Sequence, residues 1–302
     1  MHIKRTALAG CAIAGSVPSS GLLPWEEAAI HCIPEGELAA WMMELGRTVV
    51  EHRGRFWTAK RRGLYQPVHP LAALRADEAT APAWACWGFR TRLSAPDAAA
   101  ANGTMPVHLL REPGGYNWAR LSPDRRRKIR RAFETIEVVA LARADILLDQ
   151  GYDIARGAQL LTPGVDVPNA AMFRRWVNSH FAPRRGLILA GLRRGQLLGF
   201  CSLWSVEGAT YQDKLFVGSE GRARNLVLCL FHASATIARQ HAQTRELMNG
   251  FHLRESPGLC AFKRGLGLEV VHLPTRTWLA PLAEPLLRRL RPDACYRFTG
   301  RA

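Results

Sequence analysis

The chain has 302 residues, 48% of them hydrophobic and 22% charged, with a formal net charge of +16. That balance excludes a disordered chain, and the length allows one large domain or two smaller ones sharing an interface. No run approaches the ~18–20 apolar residues of a membrane-spanning helix. The seven cysteines form no Cys-x-x-Cys pair, which argues against a disulfide frame or a zinc site and for a reducing, cytoplasmic setting.

The positive charge is uneven: residues 159–302 hold 20 basic and 9 acidic side chains. A field of that sign favours an anionic partner such as a nucleotide cofactor, tRNA, an acidic carrier protein or a membrane surface. An arginine-rich composition alone would also produce it.

At the start, Leu8-Ala9-Gly10-Cys11 matches a lipoprotein cleavage box, but only five residues separate Arg5 from Cys11. That is short of the roughly 7–15 apolar residues of a signal core. Ala7–Val17 reads as a strand and Pro34–His52 as a helix, with Glu35 and Glu37 in its first turn and Leu38, Trp41, Met42 and Leu45 on one face. Phe56–Val68 and Ala83–Leu93 read as strands around a short helix at Pro70–Glu78, and Met105–Arg111 as a third strand after the loop Ala95–Asn102.

The plainest local signal is Leu121-Ser122-Pro123-Asp124, followed by Arg125, Arg126, Arg127, Lys128, Ile129, Arg130, Arg131, Ala132 and Phe133. Ser122 suits an N-cap, Pro123 the first helical turn and Asp124 the positive end of the dipole. Ile129, Ala132 and Phe133 give the helix an apolar stripe and leave its cations crowded on the remainder. Like charges one turn apart cost a few tenths of a kcal/mol per pair, so the helix is either a solvated basic face or a grip for an anion.

Ile136–Leu141 then reads as a strand, Ala144–Gln150 as a short helix, Gly151–Gly164 as mixed and Asn169–Phe181 as an amphipathic helix. Leu187–Leu192, Gln196–Ser205 and Thr210–Val217 are three extended runs, separated by the hairpin signals Arg193-Arg194-Gly195 and Glu207-Gly208. The loop Gly218-Ser219-Glu220-Gly221 leads into a helical run from about Ala223 to His241. A strand (Glu246–Leu253), a helix (Glu255–Gly265), a last strand (Leu268–Leu273) and a short helix (Leu282–Leu290) complete the order. A strand meander that turns helical after a Gly-rich loop belongs to a one-sheet design with flanking helices.

This order, ending in Phe262-Lys263-Arg264-Gly265-Leu266-Gly267-Leu268-Glu269-Val270, resembles the GNAT superfamily of N-acyltransferases, and within it the two-lobed Fem-like branch. The resemblance covers Gly186–Pro281 well and the preceding residues loosely. It implies an α+β fold with a mixed, mainly antiparallel sheet and two related lobes, a degenerate one over residues 1–120 and an acyltransferase lobe over 121–302. It also implies transfer of an acyl or aminoacyl group to an amine acceptor. The co-substrate would be an anionic donor, namely acyl-CoA, an acyl carrier protein or aminoacyl-tRNA, with no tightly bound cofactor and no metal.

GNAT enzymes bind the acyl-CoA pyrophosphate at a strand-to-helix turn, where free amides and the dipole favour an anion. Gly221, Arg222, Arg224 and Asn225 stand there in this chain, but Asn225 and Val227 occupy positions that the family pattern keeps small. That departure points away from ordinary acyl-CoA and toward aminoacyl-tRNA, held in part by Arg126, Arg127 and Arg130, or else toward a silent lobe. For proton transfer the candidates are Asp213 and Glu255 as bases and Tyr211 as acid, among polar residues that also include Gln212, Asn249 and His252. The competing reading is a catalytically silent module that binds nucleic acid or a carrier protein through the same arginines. Convergence of Asp213 and Glu255 on one cleft would separate the two. Nucleophile elbows, metal spacings, P-loops and dinucleotide fingerprints are absent from the sequence.

Overall fold

Short strands dominate the first third of the computed structural model, which describes residues 21–61, 63–160, 169–182 and 185–301. The strand expected at Ala7–Val17, the Cys11 box and the end of Gly151–Gly164 lie outside the described residues. β1 (Leu22–Pro24) and β2 (Cys32–Ile33) precede α1 (Glu35–Glu44). The helix expected through His52 stops there, because Val49–His52 forms β3 and pairs antiparallel with β4 (Arg55–Arg61). The single strand expected over Phe56–Val68 is the hairpin of β4 with β5 (Leu64–Pro67). Pro70–Glu78 is not helical: Ala73–Leu74 is β6, paired parallel with β7 (Gly88–Leu93). The strand expected from Ala83 begins only at Gly88, and β8 (Gly103–Arg111) follows.

Local signals act as expected in the rest of the chain. In α2 (Pro123–Phe133) the Ser122 hydroxyl accepts from the Arg125 N–H at 3.4 Å. β9 (Glu137–Leu141) leads through a π-turn at Leu147–Gly151 into α3 (Tyr152–Leu160). Asn169 caps α4 (Ala170–His180), its carbonyl oxygen accepting from the Met172 N–H at 2.8 Å. The meander is β10 (Leu187–Arg193), β11 (Gln196–Val206) and β12 (Ala209–Val217). Its two turns hold Arg194-Gly195 (φ 51° and 77°) and Glu207-Gly208 (φ 46° and 85°), the left-handed pairs that match strand twist in two-residue hairpins. Next come α5 (Ser219–Ala223), α6 (Leu226–Gln240), β13 (Glu246–Phe251), α7 (Pro257–Arg264) and β14 (Glu269–Leu279). β14 runs six residues past the expected Leu273, and after α8 (Ala283–Leu290) a further helix, α9 (Pro292–Thr299), was not legible in the sequence.

All fourteen strands among the described residues share one mainly antiparallel sheet, with the order β1-β9-β10-β11-β12-β13-β8-β14-β7-β5-β4-β3, β2 on β11 and β6 on β7. The fold is α+β, a sheet flanked by helices. Strand alternation sends Leu189, Cys201, Leu203 and Val217 to one face, where they pack with Ile129 of α2 and Leu226, Leu230 and Phe231 of α6. Ile188, Ala190, Phe200 and Phe216 point to the other face, under Phe173 and Val177 of α4. On that same side α1 covers Trp204, Tyr211 and Met248.

Candidate active site

Neighbouring strands of the sheet part between β12 and β13. The two run parallel and pair only over Ala209–Tyr211 with Glu246–Met248. Beyond that point β12 stays on β11 as far as Val217, while β13 follows β8 to Phe251 through an irregularity after Met248. Backbone groups freed by such a gap need other partners. The Asn249 carbonyl finds one in the Lys263 ammonium of α7, at 2.5 Å. Across the gap, the Asn249 side-chain N–H donates to the Gln212 carbonyl oxygen. The Gln212 amide donates to Ser234 Oγ of α6 at 3.1 Å, and Ser234 donates to the Leu230 carbonyl at 2.7 Å. Burial pulls the Lys263 ammonium down to about 8.

On the opposite face the gap opens into a cleft of about 310 Å³, walled by the rings of Trp41, Trp176, Trp204 and Tyr211 and reached by His180 and Asp213. Asp213 is exposed, and among the described residues no cation lies within salt-bridge distance of it. The ring of Tyr211 forms part of the wall, but its hydroxyl turns away from the cleft. It accepts from the Leu71 N–H at 3.0 Å and shares a hydrogen bond with His69 Nδ1 at 2.7 Å. Burial raises its pKa well above the ordinary tyrosine value.

Glu255 is elsewhere. It sits in the loop before α7, is exposed, and is ion-paired to Arg297 of α9. The structure therefore does not bring Asp213 and Glu255 into one cleft. His252 is likewise drawn off, with Nδ1 at 2.8 Å from the Tyr296 hydroxyl.

Between β12 and α6, Gly221 is buried under the Leu198 carbonyl, and a Cβ there would lie 2.8 Å from that oxygen. Arg224 donates to Glu220 at 2.9 Å, and Glu220 also takes Arg193 at 2.8 Å, so the loop carries its own anion. Arg222 is exposed, and Asn225 (φ 62°) makes the sharp entry to α6.

On α2, Arg127 and Lys128 share Asp124 at 2.6 and 2.8 Å. Arg130 lies over the Trp118 ring, 5.9 Å from its centroid, and Arg126 is half-buried. Arg125 is not on the exposed face: it donates to the Phe262 carbonyl at 3.0 Å and joins α2 to α7, next to Lys263.

Lys263 and His180 are the residues that a reading of functional types passed over. Lys263 was visible only as part of the Phe-Lys run of the family resemblance. His180 looked like any histidine on an amphipathic helix. Among the described residues no group of three or more His, Cys, Asp or Glu side chains is placed to hold a metal ion, and no helix is long and apolar enough to cross a membrane.

No protein-family model and no curated protein sequence matches the chain. Solved structures do match in fold. FemX aligns with a TM-score of 0.59 at 9% identity, over 88% of this chain and 96% of that one. The C-terminal DUF2156 domain of a protein assigned as a lysylphosphatidylglycerol synthetase from Agrobacterium fabrum gives 0.55 at 11%, over 88% and 98%. L-PGS from Bacillus licheniformis gives 0.51 at 11%, over 91% and 100%. The fold is thus the one that FemX and these synthetase structures share.

Proposed function

We propose that the protein is an acyltransferase that moves an acyl or aminoacyl group from an activated anionic donor to an amine. The observation that carries this reading is the strand gap, with the Lys263 cation on one face and the free Asp213 carboxylate in a cleft on the other. The donor lies on the α2, α6 and α7 face, where Arg126, Arg127 and Arg130, with Arg222 at the turn before α6, supply positive charge to a phosphate-rich carrier. Arg224 contributes less, because Glu220 already occupies it. The occupied turn at Asn225 and the crowded cations of α2 favour aminoacyl-tRNA over acyl-CoA, with an acyl carrier protein as the remaining donor.

In the reaction the amine nitrogen attacks the acyl carbonyl through the gap, forming the amide bond. The bond to the carrier oxygen or sulfur breaks, and the carrier departs with the electron pair. Asp213 takes the proton that the amine loses, and Lys263 faces the negative charge that develops on the carbonyl oxygen. Tyr211 serves as a wall, its hydroxyl being held outside the cleft by the Leu71 N–H and His69 Nδ1. The separation of Glu255 from the cleft leaves Asp213 without a second carboxylate beside it and is the observation that favours the silent, polyanion-binding module.

Single-turnover reactions with labelled aminoacyl-tRNA, acyl-CoA and acyl carrier protein, each offered a panel of primary amines, separate the two readings. Transfer from one donor class, reduced at least tenfold in both D213N and K263M, is the expected result. Tight donor binding with no amide product from any donor would establish the binding module instead.

A further inference from the structure

His180 ends α4 with one ring nitrogen in use and one left over. The side chain is 3% exposed, and its Nδ1 lies 2.8 Å from the Trp176 carbonyl. A carbonyl only accepts, so Nδ1 carries the hydrogen and Nε2 presents a lone pair. That Nε2 is buried and has no partner among the described residues. A buried acceptor left unpaired is destabilising, and a ligand N–H would satisfy it.

The surroundings of this nitrogen fit a cation better than an anion. The imidazole sits between Trp41 and Trp176, with ring centroids 4.7 and 4.3 Å away. Trp204 stacks on Tyr211 at 4.0 Å in the same cleft. Aromatic faces attract a positive charge. Asp213 is close enough that its charge favours protonated His180, against the opposing charge of Lys214, yet burial dominates and holds His180 down to about 4, so the ring is neutral at physiological pH. A neutral ring is a hydrogen-bond acceptor that does not repel an ammonium group. A second buried polar atom without a partner, Thr58 Oγ1 of β4, lines the same cleft.

We infer that this cleft is the acceptor site and that His180 Nε2 accepts a hydrogen bond from a primary amine, which the aromatic walls and Asp213 hold as its cation. The inference rests on the acyltransferase reading and adds its recognition element. His180 orients the nitrogen, Asp213 receives the ammonium proton that frees it for attack, the departing carrier takes the second proton, and Thr58 takes a second polar group on the acceptor.

The probe is n-butylamine, with butyrate and 1-butanol as charge and size controls, titrated without donor into the full chain labelled with ¹⁵N-histidine. Butylamine should quench tryptophan fluorescence saturably and shift one histidine Nε2 resonance, the one missing from His180→Gln. Butyrate should do neither, and 1-butanol should bind at least tenfold more weakly. His180→Phe should weaken butylamine at least tenfold, and His180→Gln, which keeps an acceptor oxygen, should weaken it less. Equal binding by wild type and His180→Phe, or saturable quenching with no histidine shift, would overturn the inference. Should His180→Phe fail to fold, the labelled wild-type titration decides alone. Amide formation without butylamine binding at His180 sinks only this inference; butylamine binding with no transfer from any donor sinks only the acyltransferase reading.

Discussion

Asn249 and Gln212 join their side-chain amides across the point where β12 and β13 part, replacing with one side-chain bond the ladder bonds that the gap removes. Gln212 is 7% exposed and continues the chain of bonds to Ser234 and α6.

Asn249→Ala should therefore strand the Gln212 oxygen and destabilise the fold by about 1–3 kcal/mol, the cost of an unpaired buried polar group. In urea the midpoint should fall with an unchanged slope, since the surface exposed on unfolding is the same. A midpoint equal to wild type would show that the amide pair contributes nothing.

Lys263 gives the gap a pH signature. Its folded pKa, about 8, lies below its ordinary 10.5, because burial disfavours the cation. Below about 8 the side chain is protonated in both states. From there to 10.5 the unfolded chain holds a proton that the folded chain has released, so this residue's contribution to stability rises with pH. Buried thiols such as Cys201, raised to about 11, act in the opposite sense, so the comparison must be a difference. The stability of wild type minus that of Lys263→Met should climb between pH 8 and 10.5. A flat difference would place the lysine in water.

Gly221 is a packing requirement whatever it binds. A Cβ would meet the Leu198 carbonyl and Val217 Cγ1, both at 2.8 Å, and backbone cannot yield cheaply. Gly221→Ala should cost about 1–3 kcal/mol, the usual range for overpacking, read as a lowered thermal midpoint. An unchanged midpoint would mean that α5 shifts freely on β11.

The legible parts were those whose signal is local. Alternation with left-handed turns at Arg194-Gly195 and Glu207-Gly208 gave the meander, and Ser122-Pro123 gave the start of α2. The first hundred residues were harder, because β5, β6 and β7 are short and are defined by pairing with distant partners: Leu64 with Gly88, and Ala73 with Arg92. Such pairings leave no period to read. The site is divided in the same way. Asp213, Gln212 and Asn249 stood out as polar residues on apolar strands. His180 and Lys263 acquire meaning only when α4 and α7 close over opposite faces of the gap. Glu255 had the right type and the right neighbourhood in sequence, but Arg297, 42 residues on, takes its charge.

The basic helix makes a prediction about salt. Arg126→Gln, Arg127→Gln and Arg130→Gln together should lower tRNA affinity and flatten its log–log salt dependence by roughly 0.7–0.9 for each phosphate no longer neutralised. Arg125 is left intact because it holds Phe262. Glutamine keeps the helix. Filter binding at two salt concentrations reads the slope, and an unchanged slope would remove α2 from the donor site.

β14 lies between β8 and β7, so residues 269–279 stand hydrogen-bonded to strands that begin at residues 103 and 88. A ribosome delivers those early strands long before their shared partner. During that interval Gly88–Leu93 and Gly103–Arg111 present open edges to whatever else is nearby, the situation in which strands mispair. β14 thus acts as the closing seam of the sheet, and a nascent chain stalled short of Glu269 would depend on a chaperone rather than on its own sequence to keep those edges apart.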